Sequence, residues 1–202
     1  MKGEMVTSQA QARVLRTAVV PSSSAINIVL VVGFAFLTAL SALVIIPLPF
    51  TPVPITGQTF AVLLSGAVLG STLGSASQIL YFAMGAVGLP FYAGGEGGWS
   101  AAVGATGGYL VGFVVASWFV GRLAERRQDR SVLTAIPAFL AGNVIIHLFG
   151  VPWLAYRLGV TWPEAVQLGT VPFLIGDLAK VVLAGLLLPG SWILLDRLRS
   201  SR

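Results

Sequence analysis

Two charged side chains stand inside an apolar stretch close to the end of the chain. Asp177 and Lys180 are three residues apart within the mostly apolar residues 171–195, so on a helix they share one face. A charged side chain at the centre of a bilayer costs about 2.5–3.5 kcal/mol on insertion scales, which makes such a pair a candidate functional site. Lysine offers three donors to a carboxylate, and aspartate accepts from N–H groups. The pair could therefore hold a small polar or anionic ligand.

Two other roles are open for this pair. Asp177 and Lys180 could neutralise each other and lock a helical bundle, although apolar replacements of a buried ion pair are often as stable. They could also be the acid–base couple of an enzyme, but no nucleophile–base constellation accompanies them. The chain has no cysteine and one histidine, His147, which argues against a metal site. We therefore expect ligand binding, no enzymatic activity and no metal.

Other polar side chains could line the same site. Asn143 and His147 are four residues apart on one helical face, and an asparagine at membrane depth needs partners. If Asn143 faces Asp177, its amide is a ligand contact, whereas we interpret His147 as a satisfied core or interface histidine. The remaining candidates are Gln58, the face shared by Gln78 and Tyr81, and three residues of a glycine-rich loop, Gly94, Gly95 and Trp99.

The composition is that of an integral membrane protein. Of the 202 residues, 56% are hydrophobic and only 9% are charged, whereas soluble domains carry about 25% charged residues. The net charge of +5 reflects topology and not a nucleic-acid partner, because the basic residues are clustered. The chain contains no Gly-x-x-x-x-Gly-Lys motif, so it cannot bind ATP through a Walker loop, and we expect no cofactor of its own.

The basic residues predict the topology. Most of the lysines and arginines fall in three clusters, within residues 2–16, 122–130 and 197–202. The positive-inside rule places all three clusters in the cytoplasm, so even numbers of spans separate them. We predict an all-α bundle of six transmembrane helices in the cell membrane, with both termini cytoplasmic. The domain comprises residues 26–196, between tails at 1–25 and 197–202. Its spans are 26–46, two short helices that divide 58–90 near residues 70–74, and then 105–121, 133–149 and 171–195.

Two segments around the first span have alternative interpretations. The stripe Ala35, Ala39 and Ala42 allows close approach of another helix, which is either part of this chain or a separate membrane subunit that docks here. Residues 47–54 contain four prolines and are predicted to be extended. This segment is either an ordinary rigid connector or, with the polar residues Thr56, Gln58 and Thr59 that follow, one side of a binding site.

The glycine-rich stretch 89–99 is predicted to lie outside the membrane. Its paired glycines permit backbone conformations that other residues avoid, and its flanking aromatic residues could cover an apolar ligand. We favour a lid over a simple flexible loop. The residues 151–167 are also predicted to lie outside, and the pair Gly108 and Gly112 is predicted to pack one helix closely on another.

Four stretches resemble one known family. They are residues 52–59 (PVPITGQT), 85–95 (GAVGLPFYAGG), 106–113 (TGGYLVGF) and 172–180 (PFLIGDLAK), in this order. Together they are similar to the BioY family, the biotin-binding S components of energy-coupling factor (ECF) transporters. The resemblance spans about residues 35–188. Two positions depart from the family pattern: Glu96 stands where a small or polar residue is expected, and Gly57 where a larger apolar residue is common.

The resemblance implies a six-helix protein that captures biotin from the outer face for uptake across the plasma membrane. It places the biotin carboxylate on Lys180 and the ureido N–H groups on Asp177, with the reverse assignment also open. Asn143, Gln58, Gln78 and Tyr81 become further contacts, and Gly94, Gly95 and Trp99 close over the ring. It also implies partners, a transmembrane coupling protein and two ATPases, although some family members are thought to work without them. Another vitamin or small carboxylate is the alternative ligand.

Overall fold

The computed structural model describes residues 14–21 and 23–200, and these residues form mainly α-helices. One short antiparallel hairpin joins β1 (Ile45–Ile46) to β2 (Ile55–Thr56), and 3₁₀ turns cover Ala93–Gly95 and Val171–Phe173. The helices are α1 (Leu15–Val19), α2 (Ser24–Ala42), α3 (Gln58–Leu69), α4 (Ser71–Ala86), α5 (Trp99–Ala102), α6 (Gly107–Glu125), α7 (Val132–Leu158), α8 (Trp162–Gly169) and α9 (Leu174–Ser200).

Within the described residues, four helical segments are long and apolar enough to cross a membrane. These are α2, α6, α7 and the segment Trp162–Ser200, which contains α8 and α9. A bilayer core of about 30 Å needs about 20 helical residues, and α3 and α4 are shorter than that. They meet at Gly70, whose φ of 87° is one that residues with a side chain rarely adopt. The predicted division of residues 58–90 near residues 70–74 is therefore confirmed.

Glycines bring the central helices together. A Cβ on Gly112 of α6 would lie 2.9 Å from the Ile146 backbone of α7, and one on Gly108 would lie 2.3 Å from Trp153 Cβ. These contacts confirm the predicted close packing at Gly108 and Gly112, because only a hydrogen side chain fits there. On its other side α6 meets α3, where a Cβ on Gly66 would lie 2.2 Å from the Ser117 carbonyl oxygen. Helix α6 is thus the centre of the bundle.

The proline-rich segment forms an ordered turn. Ile45 pairs with Thr56 and Ile46 with Ile55, so residues 47–54 are the connection between two short strands. The Gly57 N–H donates to the carbonyl oxygens of Ser41 and Val44, both at 3.1 Å, which fixes the hairpin to the end of α2. As a result, Thr56 and the first turn of α3 are held at a defined position inside the bundle.

Two predicted boundaries require correction. The tail predicted for residues 1–25 is folded from Val14 onward: Val14 is buried, helix α1 follows, and Arg16 donates to Asn27 at 2.7 Å; residues 1–13 lie outside the described part. The helix predicted for residues 133–149 is longer than expected, because α7 continues through Pro152 to Leu158. A proline inside such a helix is tolerated where neighbouring helices compensate for the lost hydrogen bond.

The alanine stripe is not a docking surface. Ala35 and Ala42 are fully buried and Ala39 is 8% exposed, on the face of α2 that packs against α4. Their small size lets the two helices approach closely, which is the packing alternative for the stripe. Any partner that touches α2 must contact its opposite side, where the large apolar side chains are exposed, including Ile28, Val29, Phe36, Leu40 and Leu43.

A buried carboxyl in the loop between α6 and α7 leads to a stability prediction. Asp129 accepts from Trp192 Nε1 at 2.6 Å, its other oxygen has no hydrogen-bond partner in the described structure, and burial raises the pKa of Asp129. A carboxyl whose pKa is higher in the folded state stabilises the fold most at low pH, and this contribution is lost as the pH rises above about 4 through the folded-state pKa.

We therefore expect Asp129→Asn, which cannot ionise, to gain stability relative to the parent chain as the pH increases. Thermal unfolding of both purified proteins across a series of pH values measures this difference. A difference in melting temperature that stays constant with pH would contradict the prediction.

Candidate ligand-binding site

A cavity lies between the proline-rich hairpin and helices α3, α6, α7 and α9. Most of its lining is apolar, and its polar groups are concentrated at one end, where α9 and α3 meet. This combination, an apolar chamber with a few convergent polar groups, is typical of small-molecule sites. The apolar lining includes Val53, Leu110, Phe113, Ile146 and Phe173.

Asp177 is the centre of the polar end. Its carboxylate is 4% exposed and receives four hydrogen bonds. One oxygen, Oδ1, accepts from Lys180 Nζ at 2.8 Å and from Thr59 Oγ1 at 3.3 Å. The other, Oδ2, lies 2.9 Å from His147 Nε2 and accepts from Asn143 Nδ2 at 3.2 Å. Such a carboxylate has about four acceptor positions, so all of them are used by the protein.

Lys180, like Asp177, is fully hydrogen-bonded within the protein. Besides Asp177, its ammonium group donates to the Thr56 carbonyl oxygen at 2.9 Å and to Thr59 Oγ1 at 2.8 Å. The three donors of a lysine are therefore all engaged, by groups from α9, β2 and α3. The side chain is still 19% exposed, and it faces the cavity. A ligand group that binds Lys180 must replace one of these three acceptors.

His147 also lies at the polar end of the cavity, and both of its ring nitrogens have partners, as expected of a satisfied histidine. Besides the contact of Nε2 with Asp177, its Nδ1 lies 3.0 Å from the Gly169 carbonyl oxygen. The ring also makes an edge contact with Tyr109, with the centroids 5.9 Å apart. The four-residue spacing of Asn143 and His147 predicted that they share one helical face. In the structure, that face contacts Asp177.

The two glutamines differ in their distance from the cavity. Gln58 lines it, accepts from Thr56 Oγ1 at 2.9 Å and donates through Nε2 to the Tyr81 hydroxyl. Tyr81 in turn donates to the Phe91 carbonyl oxygen at 3.2 Å, which connects the cavity lining with the glycine-rich loop. Gln78 is buried away from the cavity and bonds to Thr38 and Ser65. Tyr81 thus supports a lining residue of the cavity, whereas Gln78 joins buried polar groups elsewhere in the bundle.

The glycine-rich loop reaches the site through only part of its length. Tyr92 and Ala93 line the cavity, and burial raises the pKa of Tyr92 to about 12, which keeps its hydroxyl a donor to Phe82 O at 2.7 Å. A second groove adjoins the cavity and is lined in part by Gly94 and Glu96. Two positive-φ glycines, Gly94 at 73° and Gly95 at 76°, shape this turn.

Trp99 does not lie where the resemblance implies. Its side chain is 65% exposed at the start of α5 and lines neither the cavity nor the groove. Gly98, with a φ of 91°, turns the chain immediately before it and sets the ring outward. Gly95 also lies outside the lining of both spaces. Closure over a ligand by Trp99 therefore has no support in this arrangement.

Some residues of the site were not among the predicted contacts. Tyr109 lines the cavity and donates to the Gly169 carbonyl oxygen at 2.7 Å. Thr59, which the sequence places in one possible side of a binding site, links Lys180 to Asp177. The polar run from Thr56 to Thr59 pointed to this region, whereas Tyr109 had no signal beyond its place in the resembling stretch 106–113. Among the described residues there is no group of three His, Asp or Glu side chains that could hold a metal ion.

Comparison with known proteins assigns this architecture to a family. A model of the BioY family matches residues 11–197, almost the whole chain. The chain belongs to the BioY family. BioY relatives with curated names support this assignment. "Biotin transporter BioY" of Rhodobacter capsulatus is 40% identical over 172 residues, which cover 79% of this chain and 90% of the relative. The protein of the same name from Rhizobium etli is 34% identical over 160 residues, covering 76% and 85%.

A solved structure shares the fold. It is described as the S-component for biotin from an ECF-type ABC transporter, and the superposition has a TM-score of 0.75. The match covers 89% of this chain and 95% of that chain at 22% sequence identity. The helical arrangement described above is therefore that of a known membrane transport component.

Proposed function

We propose that the protein captures biotin from the outer face of the plasma membrane, as the substrate-binding subunit of a transporter. The observation that carries this proposal is the buried cluster of Asp177, Lys180 and His147 at the end of an apolar cavity, in a chain of the BioY family. The curated relatives are named as biotin transporters, so the function is transport and not catalysis.

Biotin has the groups that this cavity can bind. Its carboxylate needs donors, its ureido group has two N–H donors and one carbonyl acceptor, and its thiophane ring and tail need apolar surroundings. In our preferred assignment Lys180 binds the carboxylate and Asp177 accepts from the ureido N–H groups; in the reverse, Lys180 donates to the ureido oxygen. Because both side chains are fully engaged without ligand, biotin replaces an internal partner, and the 3.3 Å contact of Thr59 with Asp177 is the longest of them.

Further polar contacts follow from the geometry. Gln58 lines the cavity and can meet a ligand directly. Asn143 has a buried carbonyl oxygen that has no partner among the described residues, which suits a ligand N–H group. Tyr81 acts through Gln58 and the loop, whereas Gln78 stabilises the packing of the helices, and Gly94 lies in the groove through which we propose that biotin arrives.

We also propose six transmembrane helices with both termini cytoplasmic, the short α3 and α4 providing the second and third. Contacts between the three basic regions support this topology. Arg199, near the end of α9, donates to the Ala18 carbonyl oxygen in α1, and Trp192 of α9 bonds to Asp129 in the loop after α6. Described residues from each of the three basic regions therefore lie close together, which supports a common cytoplasmic side under the positive-inside rule.

Energy for uptake comes from partners in this proposal. A transmembrane coupling protein and an ATPase pair of an ECF module supply it, because the chain has no Walker motif and needs no cofactor of its own. Uptake without the module is the alternative. Copurification of a coupling protein with the tagged chain from its native membrane distinguishes the two.

A competition series tests the ligand. Radiolabelled biotin bound to the purified protein is challenged with biotin, with desthiobiotin, which keeps the ureido group, and with short fatty acids, which lack it. We expect displacement by the first two and none by fatty acids at equal concentration. Equal displacement by fatty acids would identify the site as one for general carboxylates.

Thr59 offers a matched pair of variants. Thr59→Val removes the hydroxyl that accepts from Lys180 at 2.8 Å and helps to fix its ammonium group, whereas Thr59→Ser keeps it. A hydrogen bond to a charged group contributes about 1.5–3 kcal/mol, so we expect Thr59→Val to weaken biotin binding about tenfold or more. Equilibrium binding measures the effect, and Thr59→Ser should bind nearly as the parent does. Equal losses in both variants would assign the effect to packing.

A further inference from the structure

Both nitrogens of the His147 ring face groups that accept hydrogen bonds. Nε2 lies 2.9 Å from Asp177 Oδ2, and Nδ1 lies 3.0 Å from the carbonyl oxygen of Gly169. A neutral imidazole has one N–H, so it can donate to only one of these oxygens and directs a lone pair at the other. The imidazolium form donates to both. The geometry therefore fits a doubly protonated ring.

The alternative donor at Nδ1 is more distant. Thr170 Oγ1 lies 3.3 Å from Nδ1 and could donate to it in a neutral ring. The Gly169 oxygen is closer, however, and it can only accept; it already takes the Tyr109 hydroxyl at 2.7 Å and has a second lone pair for the His147 N–H. In the imidazolium form, both ring N–H groups donate to acceptors, to Asp177 from Nε2 and to the Gly169 carbonyl oxygen from Nδ1.

A protonated His147 changes the charge of the cavity. The titratable and charged groups that face it are Asp177 and Lys180 from α9 and the Tyr109 phenol from α6; the contacts from the α8–α9 junction, Thr170 and the Phe173 ring, are uncharged. Lys180 neutralises Asp177, so the imidazolium leaves one uncompensated positive charge. No other residue that lines the cavity is charged.

We propose that His147 is the second cation of this cavity and makes the site selective for a singly charged carboxylate over an uncharged derivative of the same ligand. Burying an unpaired charge is costly, and a ligand that supplies one negative charge removes this cost. The inference rests on the proposed function, since it specifies the charge of the ligand at the same site. It holds for either orientation of biotin, because it depends on the total charge and not on one contact.

Proton binding and ligand binding are then linked. A biotin anion favours the protonated ring, and by reciprocity the protonated ring favours the anion. Loss of the ring proton as the pH rises lowers the affinity for biotin by up to about tenfold per pH unit, the slope for one linked proton. The affinity for the neutral amide of biotin does not fall in this way. Biotin itself remains an anion over this range, because carboxyl groups titrate near pH 4.

The single histidine of the chain allows a direct test of its charge. Protein labelled with ¹⁵N-histidine, and carrying an affinity tag without histidine, gives ring nitrogen signals from His147 alone. In the ligand-free protein at neutral pH, we expect both ring nitrogens of His147 to show the ¹⁵N chemical shifts of protonated nitrogens. One protonated nitrogen and one with a lone pair would overturn the proposal.

The second arm measures affinity for biotin and biotin amide between pH 6 and pH 9. We expect biotin to bind at least tenfold more tightly than the amide at the lower pH and to lose this preference as the pH rises; His147→Gln, which cannot carry the charge, should show a small preference at every pH. A preference that does not change with pH in the parent chain would overturn the proposal. If neither compound binds at any pH, the proposed function is wrong. The ¹⁵N signals of the first experiment then still show whether His147 is charged.

Discussion

Asp177→Asn is expected to lower the affinity for biotin by about 100-fold, the largest effect of any conservative change in the site. The carboxylate accepts four hydrogen bonds, and Lys180 and His147 are both arranged around it. An asparagine provides one acceptor oxygen and places an NH₂ group against donors. Hydrogen bonds to charged groups contribute about 1.5–3 kcal/mol each, so loss of one such interaction accounts for a 100-fold change.

The control for this variant is on the same helix. Asp196 is exposed near the end of α9, so Asp196→Asn should leave biotin affinity unchanged. Equilibrium binding measures both variants, and their melting temperatures show whether each is folded. Biotin affinity in folded Asp177→Asn within about threefold of the parent, less than 1 kcal/mol, would show that the carboxylate does not bind ligand.

Gly108→Ala is expected to destabilise the bundle by about 1–3 kcal/mol, the range for inserting a methyl group into a packed core. The new Cβ would lie 2.3 Å from Trp153 Cβ and 2.5 Å from the Phe149 carbonyl oxygen, so α6 and α7 must separate. Because these helices carry Tyr109 and His147, their separation also displaces groups of the binding site. Thermal unfolding of the purified protein measures the loss.

Gly190→Ala is the matched control for packing. Gly190 lies in α9, and a Cβ there meets nothing within 4 Å. Alanine is a better helix former than glycine by about 1 kcal/mol, so this variant should be as stable as the parent or slightly more so. Equal destabilisation by both substitutions would contradict the view that close contact of α6 and α7 requires Gly108.

The parts of the fold that the sequence predicts are those with local causes. A glycine at position 70 can adopt φ 87° at little cost, so the helical break could be placed there. The three-residue spacing of Asp177 and Lys180 put both on one helical face, and the structure joins them at 2.8 Å. Asn143 likewise reaches Asp177 because a four-residue spacing defines a face.

Other features depend on contacts between distant segments. Thr59 and Tyr109 lie in helices α3 and α6, and only tertiary packing brings them to the cavity. Small residues such as Ala39 promote close approach but do not identify the neighbouring helix, so packing and docking were equally compatible with the stripe. The outward direction of Trp99 depends on Gly98, whose backbone conformation could be one of several.

Equilibrium binding of radiolabelled biotin to the purified protein tests the central claim most directly. Our account predicts saturable binding to about one site per chain, because one polar cluster lies at the end of the cavity. Excess unlabelled biotin should displace the radiolabelled biotin. The absence of a saturable component, in protein that melts cooperatively, would contradict it and leave Asp177 and Lys180 as a structural ion pair.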